Sequence, residues 1–377
     1  MPFETSGGNV RGLVVAHVSD PQDHASDHER RTLLQFASRL AALKGWADGG
    51  FHDPARGATR PLYFVPASTL TSQEAQALGV RGPDDLFGGV VPHAFVATKV
   101  ISHPLVAHGA AAPAGWNPAL AAQLGDAVLG GFAVFDPADA LRAGESLLAR
   151  GRIRSKPARA TGGRGQRLLR DRGELQDLVA GLDASELREH GLVLEEDLED
   201  VTTFSVGQVR VAGLVATYHG VQSLTRSNNG QPVFGGSRLT VARGDFDDLL
   251  ALRPAPEVVR AIEQARRYDA AVRACYPGFY ASRCNYDILR GRDADGRMRS
   301  AVLEQSWRAG GATGAELAAL EVLQAEPGRD VVCCRCVEVF GDSPDPPANA
   351  TVYYRGVDPK AGPLTKYTVV EDHVDPR

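Results

Sequence analysis

The sequence predicts a mixed fold, α/β at the start and α+β beyond it. Three observations carry this. Residues 11–18, Arg-Gly-Leu-Val-Val-Ala-His-Val, read as a buried strand, residues 27–43 have helical periodicity, and residues 61–65 return as a strand. That strand–helix–strand order is the signature of a small α/β layer. Further on, Asn228-Asn-Gly230 and Asp293-Ala-Asp-Gly296 mark turns between β-rich runs, which predicts antiparallel hairpins.

The elements follow in order. Residues 91–103 follow a Gly-Gly pair and contain Lys99, and residues 109–118 are an Ala/Pro/Gly-rich connector. Residues 119–124 and 137–148 are helical in pattern. A short strand over 153–156 delivers Lys156 to a glycine-rich loop. Helices are expected at 174–180 and 184–190, and a strand at 191–194. Strands then flank a turn at Gly213, a long helix spans 255–275 and stops at Pro277-Gly278, and a hairpin covers 282–306. Residues 314–323 read as a helix and 331–340 as a strand. From Gly341 the chain is rich in Pro, Asp and Gly, and an irregular tail is expected.

Composition narrows the function. The chain has 377 residues, 43% hydrophobic and 23% charged, long enough for two or three domains and a sizeable core. The net charge of -5 and pI of about 6.1 favour neither nucleic acid nor an anionic membrane as partner. No apolar run approaches the roughly 20 residues that span a bilayer, and the first residues lack a secretory pattern. The five cysteines fit a reducing cytoplasm. Cys333, Cys334 and Cys336 sit in an apolar run without a second Cys or His cluster, so they read as buried strand cysteines rather than metal ligands. Chains of this size and layering often form homodimers, so a homodimer is an open possibility for partnership.

Three segments carry chemistry. The first runs from Ser155 to Arg167 and holds Lys156, Thr161, Gly162, Gly163, Arg164 and Gly165. It is basic, nearly free of apolar side chains and able to bend around a polyanion, which suits a nucleotide triphosphate. It is neither a P-loop nor a Rossmann fingerprint, since its lysine precedes the glycines. A structural surface turn is the competing reading. The second is the 282–306 hairpin. With its turn centred between Ala294 and Asp295, Asp287 pairs near Val302 and Asn285 near Glu304, so Asp287, Glu304 and Ser306 project to one side. Two carboxylates there make a hard oxygen site for Mg²⁺; a one-residue slip would separate them. A solvated hairpin face is the competing reading. The third is Leu194-Glu-Glu-Asp-Leu198, an acidic turn that can set backbone groups against an adenine edge and a carboxylate near ribose.

In type and order these pieces resemble the ATP-grasp superfamily. The matching segments are Lys156-Pro…Gly-Gly-Arg-Gly165, Leu194 to Leu198, Asn285-Tyr-Asp287 and Glu304-Gln-Ser-Trp-Arg-Ala-Gly-Gly311, with Lys99 in Ala-Thr-Lys-Val-Ile-Ser-His-Pro resembling the first phosphate-side lysine. The likeness covers residues 90–325, and the chain looks close to an uncharacterised bacterial ATP-grasp-like family. It implies an N-terminal α/β domain (1–112), a lid domain (113–194), a C-terminal antiparallel-sheet domain with the Mg site (195–340) and the tail (341–377).

The resemblance also implies roles. Lys99, Lys156, Thr161, Gly162, Gly163, Arg164, Gly165, Glu195, Glu196 and Leu198 would hold ATP. Asp287, Glu304 and Ser306 would hold Mg²⁺, and Arg308 and Lys156 would act in catalysis. The implied reaction is ATP-dependent activation of a small carboxylate as an acylphosphate, then attack by an amine or similar nucleophile. One departure stands out: the superfamily presents Glu-x-Asn, whereas this chain has Glu304-Gln-Ser306. A small-molecule kinase and a non-catalytic ATP-binding sensor or scaffold are the rival readings.

Overall fold

A computed structural model describes residues 11–19, 26–57, 59–160, 164–341 and 345–371. At the start, β1 (Leu13–His17), α1 (Asp27–Lys44), β2 (Ala47–Phe51) and β3 (Leu62–Pro66) build a parallel sheet in the order β2-β1-β3. Helix α1 buries Leu33, Phe36, Ala37, Leu40 and Ala41, the spacing of one helical face. It ends where Gly45 turns left-handed at φ 63° and its N–H meets the last carbonyls. Next come β4 (Leu70–Thr71), α2 (Ser72–Leu78) and β5 (Gly89–Val91), then two 3-10 turns over Ala94–Ala97 and Lys99–Ser102.

The middle of the chain holds α3 (Ala119–Leu124), β6 (Gly131–Val134), α4 (Pro137–Leu148), β7 (Ile153–Pro157), β8 (Arg167–Leu169), α5 (Arg172–Ala180), α6 (Ala184–His190) and β9 (Leu192–Glu196). Its antiparallel sheet has the order β6-β9-β7-β8. Leu192, Leu194 and Ile153 alternate into a core with α4 and α5, which leaves Val193, Glu195 and Lys156 on the opposite face. The sheet extends through Glu196, two residues past the expected end of the lid.

The rest is dominated by one large sheet. Strands β10 (Glu199–Val211), β11 (Leu214–Arg226) and β12 (Pro232–Arg243) come first, followed by α7 (Phe246–Ala251), α8 (Pro256–Cys275) and the short β13 (Tyr280–Ala281), which pairs with β5. Then come β14 (Arg283–Arg292), β15 (Met298–Ser306), α9 (Thr313–Ala325), β16 (Val331–Phe340), β17 (Thr351–Asp358) and β18 (Gly362–Glu371). Eight strands align as β15-β14-β10-β11-β12-β16-β18-β17. Strand alternation sends Val209, Tyr218, Leu239 and Cys334 toward α9 and α1, and Phe204, Val206, Tyr286 and Ile288 toward α8.

The expected irregular tail is corrected here. Residues 351–371 are two strands that complete the large sheet, with β18 pairing β16 and β17 at the edge. Their β-branched and aromatic residues override the Pro- and Gly-rich stretch before them. All five cysteines are buried free thiols. Burial pushes Cys334 and Cys336 up to about 12, where they are inert as nucleophiles or ligands. No helix among the described residues is long and apolar enough to cross a membrane.

Candidate nucleotide and metal site

The site is assembled from the turn at Lys99, the inner face of the middle sheet and the β14–β15 hairpin. Lys99 is buried, 6% exposed, and its Nζ donates to the carbonyl of Ala160 at 2.6 Å and pairs with Glu304 at 2.8 Å. Its turn is tied down from β15, where Gln305 Nε2 donates to the carbonyls of Val96 (3.1 Å) and Thr98 (2.8 Å). One lysine therefore joins the mouth of the glycine loop to the hairpin. Thr161, Gly162 and Gly163 lie outside the described residues. Arg164 and Gly165 follow them on the exposed run into β8, with Gly165 left-handed at φ 69°.

Lys156 is also buried, and it pairs with Glu195 across the β7–β9 ladder. The second oxygen of Glu195 is 3.0 Å from His103 Nε2. Burial alone would raise the Glu195 pKa; Lys156 and His103 reverse that and hold it at about 2. Gly131 makes room for this group: a Cβ there would lie 2.8 Å from Glu195 Cβ and 2.9 Å from His103 Nδ1. The sequence leaves Glu195 and Glu196 undecided as nucleoside contacts. Here the Glu195 carboxylate is fully occupied, whereas Glu196 Oε2 is buried with no hydrogen-bond partner among the described residues, as is His103 Nδ1. Asp197 is pinned by Arg152 at 2.7 Å and Arg154 at 2.6 Å, which stiffens the turn leading to Leu198. Leu198 packs with Leu129, Leu289, Ala301 and Leu303, an apolar cluster between turn and hairpin of the kind a planar base can stack on.

The hairpin register differs from the expected one, and the difference matters. Its turn is centred on Asp295, with Arg292 opposite Met298, which shifts the pairing by one residue. A bulge then leaves Leu303 unpaired, so Asp287 lies directly opposite Glu304 and Asn285 opposite Ser306. The two shifts together still set Asp287, Glu304 and Ser306 on one side. Asp287 Oδ1 accepts from Asn285 Nδ2 (2.9 Å), Gln222 Nε2 (2.8 Å) and Ser205 Oγ (3.5 Å). Its Oδ2 makes no hydrogen bond to the described residues. Burial and the facing Glu304 raise Asp287 to about 6. Paired carboxylates that repel one another and keep a lone oxygen free fit a hard divalent cation. Among the described residues no cluster of three or more His, Cys, Asp or Glu side chains could hold a metal, so any cation here rests on this pair and on its own ligands.

Ser306 is turned toward positive charge: its Oγ lies 3.4 Å from Arg283 Nη1. Arg283 is 1% exposed and pairs with Glu316, itself fully buried, at 2.7 Å, while its Nη1 donates to the carbonyls of Ser306 (3.0 Å) and Arg308 (2.6 Å). Arg308 donates only to the Ala309 carbonyl, at 2.8 Å, and makes no ion pair among the described residues. Burial and the neighbouring Arg283 push its guanidinium down, an imbalance that an anionic ligand would relieve. Sequence reasoning missed His103, Gln222, Tyr218 and Glu316. Glu316 had a signal, as an acid in the first turn of an almost wholly apolar helix; His103 had a weaker one, four residues beyond Lys99. Gln222 and Tyr218 come from β11, a strand distant in sequence from the hairpin, and had none.

A family model described as "Protein of unknown function (DUF3182)" matches residues 14–368. The chain belongs to that family. No curated protein matches it. Solved structures do. The biotin carboxylase domain of 2-oxoglutarate carboxylase from Hydrogenobacter thermophilus, in complex with MgADP, ADP and bicarbonate, is 12% identical with a TM-score of 0.54, covering 97% of this chain and 87% of that one. N5-carboxyaminoimidazole synthetase from Staphylococcus aureus, in complex with ADP, is 13% identical with a TM-score of 0.51, covering 97% and 95%. Biotin carboxylase from Campylobacter jejuni is 10% identical with a TM-score of 0.53, covering 96% and 88%. The fold is the ATP-grasp fold, with an N-terminal α/β part, a middle lid sheet and a C-terminal antiparallel sheet.

Proposed function

We propose that this protein is an ATP- and Mg-dependent ligase that activates a small carboxylate as an acylphosphate for attack by an amine or similar nucleophile. The observation that carries the reading is buried Lys99, which spans from the Ala160 carbonyl at the mouth of the glycine loop to Glu304 of the facing carboxylate pair. A second buried lysine, Lys156, lies on the strand leading to that loop, and Arg308, two residues past the hairpin, makes no ion pair among the described residues. The solved structures of like fold support it, three of them holding ADP or an ATP analogue in their own sites.

In this reading ATP lies between the middle sheet and the hairpin. Its base rests on the apolar cluster around Leu198, with Glu196 and the adjoining backbone at its polar edge. Lys99 and Lys156 exchange their carboxylate partners for phosphate oxygens, and Arg164 adds positive charge on the run into β8. Mg²⁺ bound by Asp287 and Glu304 would neutralise charge on the transferring phosphoryl group. Arg308 holds the acceptor carboxylate in line with the γ-phosphorus. The carboxylate oxygen attacks, ADP leaves, and the nucleophile then displaces phosphate from the acylphosphate. Closure of the lid excludes water that would otherwise hydrolyse it.

The test is phosphate release from Mg-ATP across a panel of small carboxylates with and without amines, followed by mass analysis. A condensed product supports the ligase, and a stable phosphorylated metabolite converts the reading to a kinase. Glu304→Ala should reduce Mg-dependent turnover about 10²–10³-fold, the scale of losing a transition-state charge contact. Unchanged turnover in that variant would remove the metal role from Glu304.

A further inference from the structure

The superfamily pattern places an amide two residues after the second metal carboxylate, and this chain has Ser306 there. Residue 306 nevertheless has an amide beside it, because the β14–β15 register sets Asn285 directly opposite. Asn285 is 6% exposed, and both ends of its amide are committed. The Asp287 carboxylate can only accept, so the amide end 2.9 Å from its Oδ1 is Asn285 Nδ2, which leaves Asn285 Oδ1 facing the Tyr218 hydroxyl at 2.9 Å. The chain continues into the fold, since Tyr218 Oη also lies 2.5 Å from Glu316, the partner of Arg283. Gln222 approaches the same Asp287 oxygen from β11 at 2.8 Å. Asp287 Oδ1 is thus saturated by the amides of β14 and β11, with Ser205 of β10 also at 3.5 Å, and only Oδ2 is left for a cation. Meanwhile the Ser306 hydroxyl faces a guanidinium, where a divalent cation would be repelled.

Resting on the nucleotide-site reading above, we infer that Asn285, seconded by Gln222, is the positioning residue of the metal site: the two amides orient the Asp287 carboxylate through one oxygen, and Ser306 is not a metal ligand. Groups of this kind, one bond removed from the cation, set metal affinity by about 10–100-fold.

The test uses the full-length protein with ADP, with Mn²⁺ as an EPR-visible probe. Wild type should bind Mn²⁺ in its ADP complex. Asn285→Ala and Gln222→Met should each weaken Mn²⁺ about 10–100-fold while leaving metal-free ADP affinity unchanged, and Ser306→Ala should change Mn²⁺ affinity less than about 3-fold. Gln222 is half-buried, so its variant keeps the test alive should Asn285→Ala fail to fold. Loss of Mn²⁺ in Ser306→Ala, or wild-type affinity in both Asn285→Ala and Gln222→Met, overturns the inference. ADP binding with no Mn²⁺ site in wild type overturns the underlying metal-nucleotide reading instead.

Discussion

His219 sits on β11 beside Val206 and Thr240 in the ladder, and burial holds its pKa down at about 4. It lies on the face of the sheet opposite Tyr218 and Asp287, away from the proposed site. The sign of the linkage follows from the depression. In the unfolded chain the imidazole takes a proton as pH falls through 6.5, whereas in the fold it stays neutral until about 4. The unfolded state therefore binds more protons across that window, and stability falls as pH drops from 6.5 to 4. The slope from this one group is at most about 1.4 kcal/mol per pH unit, and less because the ring is only half-buried. His219→Gln should flatten part of that decline in urea titrations at pH 7, 6 and 5; parallel curves for the two proteins would show that His219 is not the source. Glu195 shows what residue-level reading can and cannot reach. An acidic pair next to Leu194 is visible in the sequence, but the partners of the Glu195 carboxylate are His103 and Lys156, 92 and 39 residues away. Composition cannot assign them.

The hairpin and helix α9 form the element on which the site depends. Arg283 at the head of β14 and Glu316 in the first turn of α9 pair with 1% and 0% side-chain exposure. Such a pair is weak evidence for net stability, since both charges are desolvated, but removing one partner strands the other. Glu316→Leu should cost about 3–5 kcal/mol in urea unfolding, and Arg283→Met combined with Glu316→Leu should recover much of it. A double variant no more stable than the single one would mean that the carbonyl contacts of Arg283 to Ser306 and Arg308, rather than its charge pairing, are what the element needs. The turn, the strands and the shared face of Asp287 and Glu304 were legible from alternation and from Asp293-Ala-Asp-Gly296. The bulge at Leu303 was not, because an extra residue in one strand leaves no mark on a two-residue period until its partner strand is known.

At the scale of the whole molecule, the C-terminal strands bind the two ends of the chain together. Sequence reading lost them because Pro344, Pro346, Pro347 and Gly341 lie just ahead, although Thr351-Val-Tyr-Tyr and Leu364-Thr-Lys-Tyr-Thr-Val-Val have strand composition. Strand β18 covers the edge of β16 along residues 333–340, and Tyr353, Tyr354, Leu364 and Val369 are buried. Lys366 and Glu338 pair at 3.1 Å with little exposure. At the far end of β17, Asp358 accepts the backbone N–H of His28, 2.9 Å away in the first turn of α1, along with those of Lys360 and Ala361. Those N–H groups outweigh the opposing effect of burial and hold its pKa at about 2. The tail therefore seals a sheet edge and anchors the start of α1, against which Tyr353 packs through Phe36 at 5.5 Å between ring centroids. A chain ending at residue 350 would leave β16 as a long unpaired edge of apolar residues, a template for aggregation. It should express insoluble or unfold without a cooperative transition. Asp358→Ala in the full chain should cost only about 1–3 kcal/mol, the worth of hydrogen bonds to one carboxylate. Calorimetry separates the two. If the truncated chain melts cooperatively within a few degrees of wild type, the strands are an appendage, and the large sheet is complete without them.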